Sequence, residues 1–291
     1  MAVMAASAAI IVIFTIMLVV IFSCGEVMRR RGDIKIGFVD QYMSGPSAIL
    51  IPYNFWMSNA SKGGDPPYPK MEDHFPNHHV LKDAWETIRG EALDVYKGGY
   101  ASDIKEDEFF RRVTDEKYNI YHIKWYGDIL PDARALCPKT CALIDSLPDV
   151  HLAMFTILEP GGVITPHTGP FMGCLRYHLG LQSPADGGAT ILVDGKPYTW
   201  ANGEDVLFDD TYVHEVKNVS DEARVILFCD VERKLHTDRA QDINHWVCKK
   251  FGPFSNKVNK KLEQKARTNG SNKRLEQTAK SSTADSKESL D

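Results

Sequence analysis

The chain holds 291 residues, with 34 Lys+Arg against 39 Asp+Glu and 43% hydrophobic residues, a balance that excludes dominant disorder and a polytopic membrane protein. The charge is uneven: from Lys249 to Asp291 there are 11 basic and 5 acidic residues, so this end carries +6 and residues 1–248 carry −11. An acidic body argues against nucleic acid as the partner, because phosphate neutralisation needs a basic face, and fits a small-molecule or peptide enzyme with a basic tail.

Residues 1–25 contain no charged side chain, and nearly every residue from Ala8 to Phe22 is apolar. With its flanks this run is about long enough to cross a bilayer as a helix. Nothing basic precedes it and Phe22-Ser23-Cys24 is a poor cleavage site, so an uncleaved single-pass transmembrane anchor is expected over 1–25. Arg29, Arg30, Arg31 and Lys35 follow directly, which places the catalytic part in the cytoplasm by the positive-inside rule. Against this stand N-x-[ST] triplets at Asn59, Asn218 and Asn269, which arise often by chance and leave a lumenal orientation open.

Residues 26–70 read as a juxtamembrane connector, rich in Gly, Pro, Ser and Asn over 32–70. Val80, Leu81, Trp85, Ile88 and Leu93 recur at helical spacing, predicting an amphipathic helix between His79 and Val95; a second is predicted over Pro131–Leu147. From His151 the texture changes to short apolar or alternating runs: Leu152–Leu158, Leu175–Leu181, Thr190–Val193, Val206–Phe208, His214–Val219 and Val225–Asp230. Turn residues such as Gly161-Gly162, Asp194-Gly195 and Asn202-Gly203 separate them, the pattern of a β-sandwich or jelly roll. Residues 251–291 are polar and low in complexity and read as a basic, disordered tail. The six cysteines, Cys24, Cys137, Cys141, Cys174, Cys229 and Cys248, complete no zinc pattern and read as free thiols, mostly buried.

The chemistry is concentrated between Thr156 and Arg224. His167 and His214 each stand at a strand edge beside turn residues, and neutral imidazole suits a divalent first-row metal such as Fe(II). They are 47 residues apart, so only a fold that joins distant strands makes them one site. Arg224 opens the apolar run Val225-Ile226-Leu227-Phe228; a guanidinium entering a barrel interior needs a carboxylate partner, because an unpaired buried charge is expensive.

Four segments carry a resemblance: His167-Thr168-Gly169-Pro170, Leu175-Arg176-Tyr177-His178-Leu179-Gly180-Leu181, Asp209-Asp210 leading to His214, and the strand with Arg224. Over roughly 150–232, and more thinly over 70–150, the chain resembles the aspartyl/asparaginyl β-hydroxylase family of Fe(II)- and 2-oxoglutarate-dependent dioxygenases. The resemblance implies a mainly β fold, a double-stranded β-helix (jelly roll, cupin-like) with flanking helices at 71–250 on the N-terminal anchor. It implies Fe(2+), with 2-oxoglutarate and O2 as cosubstrates, and His167 and His214 as the iron ligands. It implies Arg224 on the distal carboxylate of 2-oxoglutarate, with Thr156, Arg176 and His178 as further cosubstrate contacts. The expected reaction is hydroxylation of a C–H bond, at the β-carbon of Asp or Asn residues in a peptide or protein.

Two features keep alternatives open. Lys124-Trp125-Tyr126-Gly127-Asp128, the stretch Val193–Trp200 and Arg224–Arg233 resemble lipid A acyl-chain hydroxylases, so a lipid acyl chain is the other candidate substrate. Gly169 stands where related oxygenases place the carboxylate of their two-His, one-carboxylate triad. Either Asp209 or Asp210 stands in for it, since alternation turns at most one inward, or water fills the position, which is the expected reading. A non-catalytic jelly-roll binding module would show decay of the His167, His214 and Arg224 set, which is intact.

Overall fold

The computed structural model of the chain describes residues 2–31, 47–61, 66–103, 117–169 and 171–250. The basic tail over 251–291, with Asn269, and residues 32–46 and 62–65 of the connector lie outside the described residues.

Helix α1 spans Ala2–Arg31 and α2 spans Ser47–Ala60, inside the stretch read as connector. α2 forms despite Pro52 because its apolar residues find partners: Met57 is fully buried with Leu235 and Ala240, and Ile51 packs with Ile21 and Met28 of α1. Among the described residues no helix is long and apolar enough to cross a membrane. The side chains of α1 are described over 12–28 and at Arg30. The anchor expected over 1–25 therefore has no support from those residues.

Short helices α3 (Met71–His74) and α4 (His79–Lys82) precede α5 (Trp85–Lys97). The single helix predicted between His79 and Val95 is thus two, separated at Asp83 and Ala84. The helix predicted over Pro131–Leu147 is also split, into α6 (Pro131–Leu136) and α7 (Pro138–Asp145), with Cys137 between them in a non-helical conformation. Pro138 explains the break: it has no N–H to donate, and its ring drives the preceding residue out of the helical region. The last helix among the described residues, α8, covers 238–250.

Among the described residues, ten antiparallel strands build two sheets. The larger has the order β1 (Ser102–Asp103), β2 (Tyr118–Trp125), β3 (Val150–Leu158), β10 (Arg224–Glu232), β5 (Cys174–Gln182), β8 (Asp205–Phe208). The smaller has the order β4 (Val163–His167), β9 (His214–Asn218), β6 (Ala189–Val193), β7 (Lys196–Thr199). From β3 to β10 the chain passes back and forth between the sheets, as in a jelly roll. The six runs read as strands all fall on strands; β1, β2, β4 and β7 are additional.

Side-chain alternation separates two apolar layers. Phe155, Ile157, Leu175, Tyr177, Leu179, Val225, Leu227 and Cys229 face outward and pack on Ile88, Ala92 and Val95 of α5 and on Cys141 and Ile144 of α7. Met154, Leu158, Phe208, Ile226 and Phe228 face inward against Ile164, Ile191, Val193 and Val216 of the smaller sheet. The candidate residues of the site, even-numbered on β3, β5 and β10, share this inward face. All five cysteines from Cys137 onward are buried free thiols, as expected.

Candidate functional site

β4 is the edge of the smaller sheet and pairs only with β9. Pro166 offers no ladder donor, and the β4–β9 register slips between Ile164 and His167, the edge and irregularity where a strand proline is tolerated. Beyond the slip His167 lies directly opposite His214, bringing the two imidazoles to 4.1 Å between ring centres. Nδ1 of His167 bonds the carbonyl of Thr165 at 2.8 Å, and Nδ1 of His214 bonds the carbonyl of Tyr212 at 2.9 Å. A carbonyl only accepts, so Nδ1 carries the proton in each ring and both Nε2 atoms are lone-pair donors. Burial pulls His167 down to about 3 and His214 to about 4, which keeps both rings neutral and suited to bind a metal.

The inward face of the larger sheet carries the other candidates. Arg224 and Thr156 are buried, and Nη2 of Arg224 reaches Oγ1 of Thr156 at 3.4 Å. The Tyr118 hydroxyl neighbours the same guanidinium and favours its charge, and that guanidinium lies 4.7 Å over the Trp200 ring. Burial lowers Arg224 to about 10, and no carboxylate among the described residues pairs with it. Beside it, both ring nitrogens of His178, Nε1 of Trp200 and Nε of Arg224 are buried without a hydrogen-bond partner. The His178 ring lies 5.9 Å from that of Trp200, and the His178 pKa is pushed well down, by burial first and then by Arg224. Buried polar groups are rarely left unsatisfied, so this concentration fits an acidic polar ligand.

Arg176 is differently placed. Its Nε donates to Asp210 at 2.8 Å and its Nη1 to Asp230, while Tyr126 donates to Asp230 at 2.6 Å. Burial opposes the charge, but the two carboxylates outweigh it and raise the Arg176 pKa. Arg176 is therefore already satisfied by protein groups, unlike Arg224 and His178.

Asp209 and Asp210 diverge. Asp209 accepts from Nη2 of Arg233 at 2.7 Å and caps Thr211, whereas Asp210 turns toward His167 and Arg176. A Cβ added at Gly169 would lie 1.9 Å from Oδ2 of Asp210. The Asp210 carboxylate thus fills the volume of a side chain at 169, and the glycine is what lets it in. Sequence reasoning weighed both aspartates but could not choose between them. It missed Tyr118 and Trp200 as partners of Arg224; an unrecognised strand, β2, hid the first, and the second was noted only as part of a motif.

Of the glycosylation triplets, Asn218 is excluded by geometry. It is buried, and its Nδ2 donates to the carbonyls of Leu158 and Glu222 at 3.0 and 2.8 Å.

A family model described as Aspartyl/Asparaginyl beta-hydroxylase matches residues 82–234. The chain is 33% identical over 151 residues to an ornithine lipid ester-linked acyl 2-hydroxylase of Rhizobium tropici, covering 52% of this chain and 53% of that protein. It is 32% identical over 217 residues to the human aspartyl/asparaginyl beta-hydroxylase, covering 72% of this chain and 28% of that protein. The chain thus spans about half or less of the length of these relatives. Among solved structures, a Pseudomonas putida prolyl-4-hydroxylase aligns at 18% identity over 52% of this chain and 87% of that one, with a TM-score of 0.39. On the family match the chain belongs to the aspartyl/asparaginyl beta-hydroxylase family, a family of hydroxylases.

Proposed function

We propose that the protein is an Fe(II)- and 2-oxoglutarate-dependent dioxygenase that hydroxylates the β-carbon of Asp or Asn residues in a peptide or protein. The observation that carries this reading is the pairing of two neutral, correctly protonated imidazoles with a buried, unsatisfied cationic cradle in one barrel interior. His167 and His214 would hold the iron through Nε2, and the cradle of Arg224, Thr156, Tyr118, His178 and Trp200 would hold the distal carboxylate of 2-oxoglutarate. When bound, iron with 2-oxoglutarate and O2 supplies the oxidising power that turns C–H into C–OH, with succinate and CO2 as the other products.

The work of the chain itself is binding and orientation. Arg224 offers a charge-assisted contact in a dry pocket, where it is worth more than in water. The carbonyls of Thr165 and Tyr212 fix the two imidazole tautomers. Arg176 holds Asp210 beside Gly169, so a carboxylate stands near the His pair from outside the usual motif position. We take Asp210 to act on water at that position and not as a ligand, because Arg176 already claims its Oδ2.

We further propose that 71–250 is the catalytic unit and that α1 tethers it to a membrane with this unit on the cytoplasmic side. Val12, Ile13, Phe14, Ile16, Val19 and Phe22 of α1 are exposed, an apolar surface that a soluble protein seldom leaves uncovered. One observation favours the alternative substrate, a lipid acyl chain. The C-terminal half of α1 and helix α2 pack with Met172, three residues beyond Gly169, so the tether and the site are neighbours. The deciding experiment incubates purified protein with Fe(II), 2-oxoglutarate and either Asp/Asn peptides or membrane lipids. Succinate release with one added oxygen on a peptide supports the main reading, and the same gain on a lipid supports the alternative. Absence of iron-dependent succinate release with any substrate would sink both.

A further inference from the structure

A second cluster of ligating side chains lies at the opposite end of β3 from Thr156. His151 is the second residue of β3, Glu232 the last of β10, and Cys248 sits on α8. Nε2 of His151 is 2.8 Å from Oε2 of Glu232, and one ligand atom from each of the three residues lies within 4.8 Å of the others. All three are buried, with Cys248 fully so. The surroundings are arranged to hold them. Gln241 donates to Oε1 of Glu232 at 2.7 Å, Nδ1 of His245 meets Oε2 at 2.8 Å, and the Tyr126 ring lies parallel to that of His151.

A hydrogen-bonded His–Glu pair engages two of these residues, and the Cys248 thiol makes a long 3.6 Å contact to Oδ1 of Asn244, one turn back on α8. Cys248 has no disulfide: its nearest thiol, Cys174, is 3.9 Å away, far beyond the ~2.05 Å of an S–S bond. One nitrogen, one carboxylate oxygen and one sulfur form a donor set that calcium or magnesium would refuse and that zinc accepts. We propose that His151, Glu232 and Cys248 form a second metal site, separate from the His167/His214 pair, for a thiolate-accepting divalent cation of the zinc class.

The exchange balances in charge. Without metal, protonated His151 offsets Glu232 and Cys248 is a thiol; with metal, the cation displaces one proton from His151 and one from Cys248, and the buried charge stays at zero. The environment already leans this way. The Cys174 sulfur lies 3.9 Å from that of Cys248, and the ligand atoms of His151 and Glu232 stand within 4.8 Å of it. Half-exposed His245 marks the side from which a metal would reach the site. The site would pin α8 to the ends of β3 and β10, the strands that also carry Thr156 and Arg224.

The test uses the full chain and cobalt(II) as the probe, because cobalt bound to thiolate gives a near-ultraviolet charge-transfer band that cobalt on histidine and carboxylate lacks. The band is expected in wild type and in His214→Ala, which removes only the other site, and is expected to vanish in Cys248→Ser. His151→Gln should weaken cobalt binding at this site by more than about 10-fold, as loss of a ligand or its support commonly does. A folded wild type that shows no thiolate band on cobalt titration overturns the proposal, as does a band that survives Cys248→Ser. So does a Cys174–Cys248 disulfide in the protein as isolated. The wild-type spectrum decides the matter even where a variant fails to fold.

Discussion

Arg224 and Arg233 bracket the central strand of the larger sheet, and both are essentially fully buried. Arg233 is answered within the protein: Asp209 takes Nη2 at 2.7 Å and the Met172 carbonyl takes Nε at 2.7 Å. Arg224 has hydroxyl groups and an aromatic face but no carboxylate among the described residues, and its Nε is unmatched. The same contrast separates Arg176, clamped by Asp210 and Asp230, from His178, with neither ring nitrogen bonded. One half of the barrel's polar interior is closed and acts as scaffold. The other half is open to a partner that the protein does not supply, and that is where binding chemistry is expected.

The strongest test of this division is iron content. His167→Ala and His214→Ala should each reduce bound iron from about one equivalent to near zero, measured by elemental analysis of reconstituted protein, while Asp209→Asn and Asp210→Asn retain it. Loss of iron in a folded Asp210→Asn protein would make Asp210 a ligand and break the two-histidine reading.

The arginines come next. Arg233→Met strands a buried Asp209 and should destabilise the fold by about 3–5 kcal/mol in urea unfolding, whereas Arg224→Met should leave the ligand-free protein unchanged or more stable. Arg224→Met should instead raise the 2-oxoglutarate requirement about 100-fold or more, in line with loss of a buried charge-assisted contact. Equal destabilisation by both substitutions would erase the contrast.

Gly169→Ala forces a methyl group into the Asp210 carboxylate and should cost about 1–3 kcal/mol of stability. The double change Gly169→Ala with Asp210→Gly should recover most of that, because the collision disappears. No recovery would mean that Asp210 is not what reserves the space.

A further effect is an acid one, in metal-free protein. His167 and His214 are depressed by burial to about 3 and about 4 from 6.5 in the unfolded chain. The unfolded state therefore takes up protons first as pH falls. Their contribution is complete above about pH 6.5 and is lost progressively toward pH 4 and below, so the urea midpoint should drop over that window. A flat midpoint from pH 7 to 4.5 would show that the rings are not held neutral.

Much of this was legible in the sequence, and the rest was hidden for identifiable reasons. β3, β5 and β10 announce themselves because both faces are buried and their residues run apolar, as in Val225-Ile226-Leu227-Phe228. β2 does not, since Asn119, His122 and Lys124 interrupt Tyr118–Trp125, and β4 is masked by Pro166 at a register slip. The two helix breaks, at Asp83-Ala84 and at Cys137 before Pro138, fall within otherwise periodic runs. For the site, His167, His214 and Arg224 were named from motif order, but pairing is a tertiary fact. Nothing local says that Asp210 will fill the space at Gly169, 41 residues earlier, or that Arg176 will be spent on Asp210 and Asp230.

The position of β10 also governs when the protein comes into being. It is the last strand among the described residues, yet it lies between β3 and β5, both made long before it on the ribosome. Until Arg224–Glu232 emerges, those two strands have unpaired facing edges, which invite pairing with other chains. The nascent chain therefore carries those two open edges until β10 has been made. A premature stop anywhere upstream of Arg224 would yield an aggregation-prone fragment and not a weakened enzyme, and pulse-labelling of such truncations should find them insoluble.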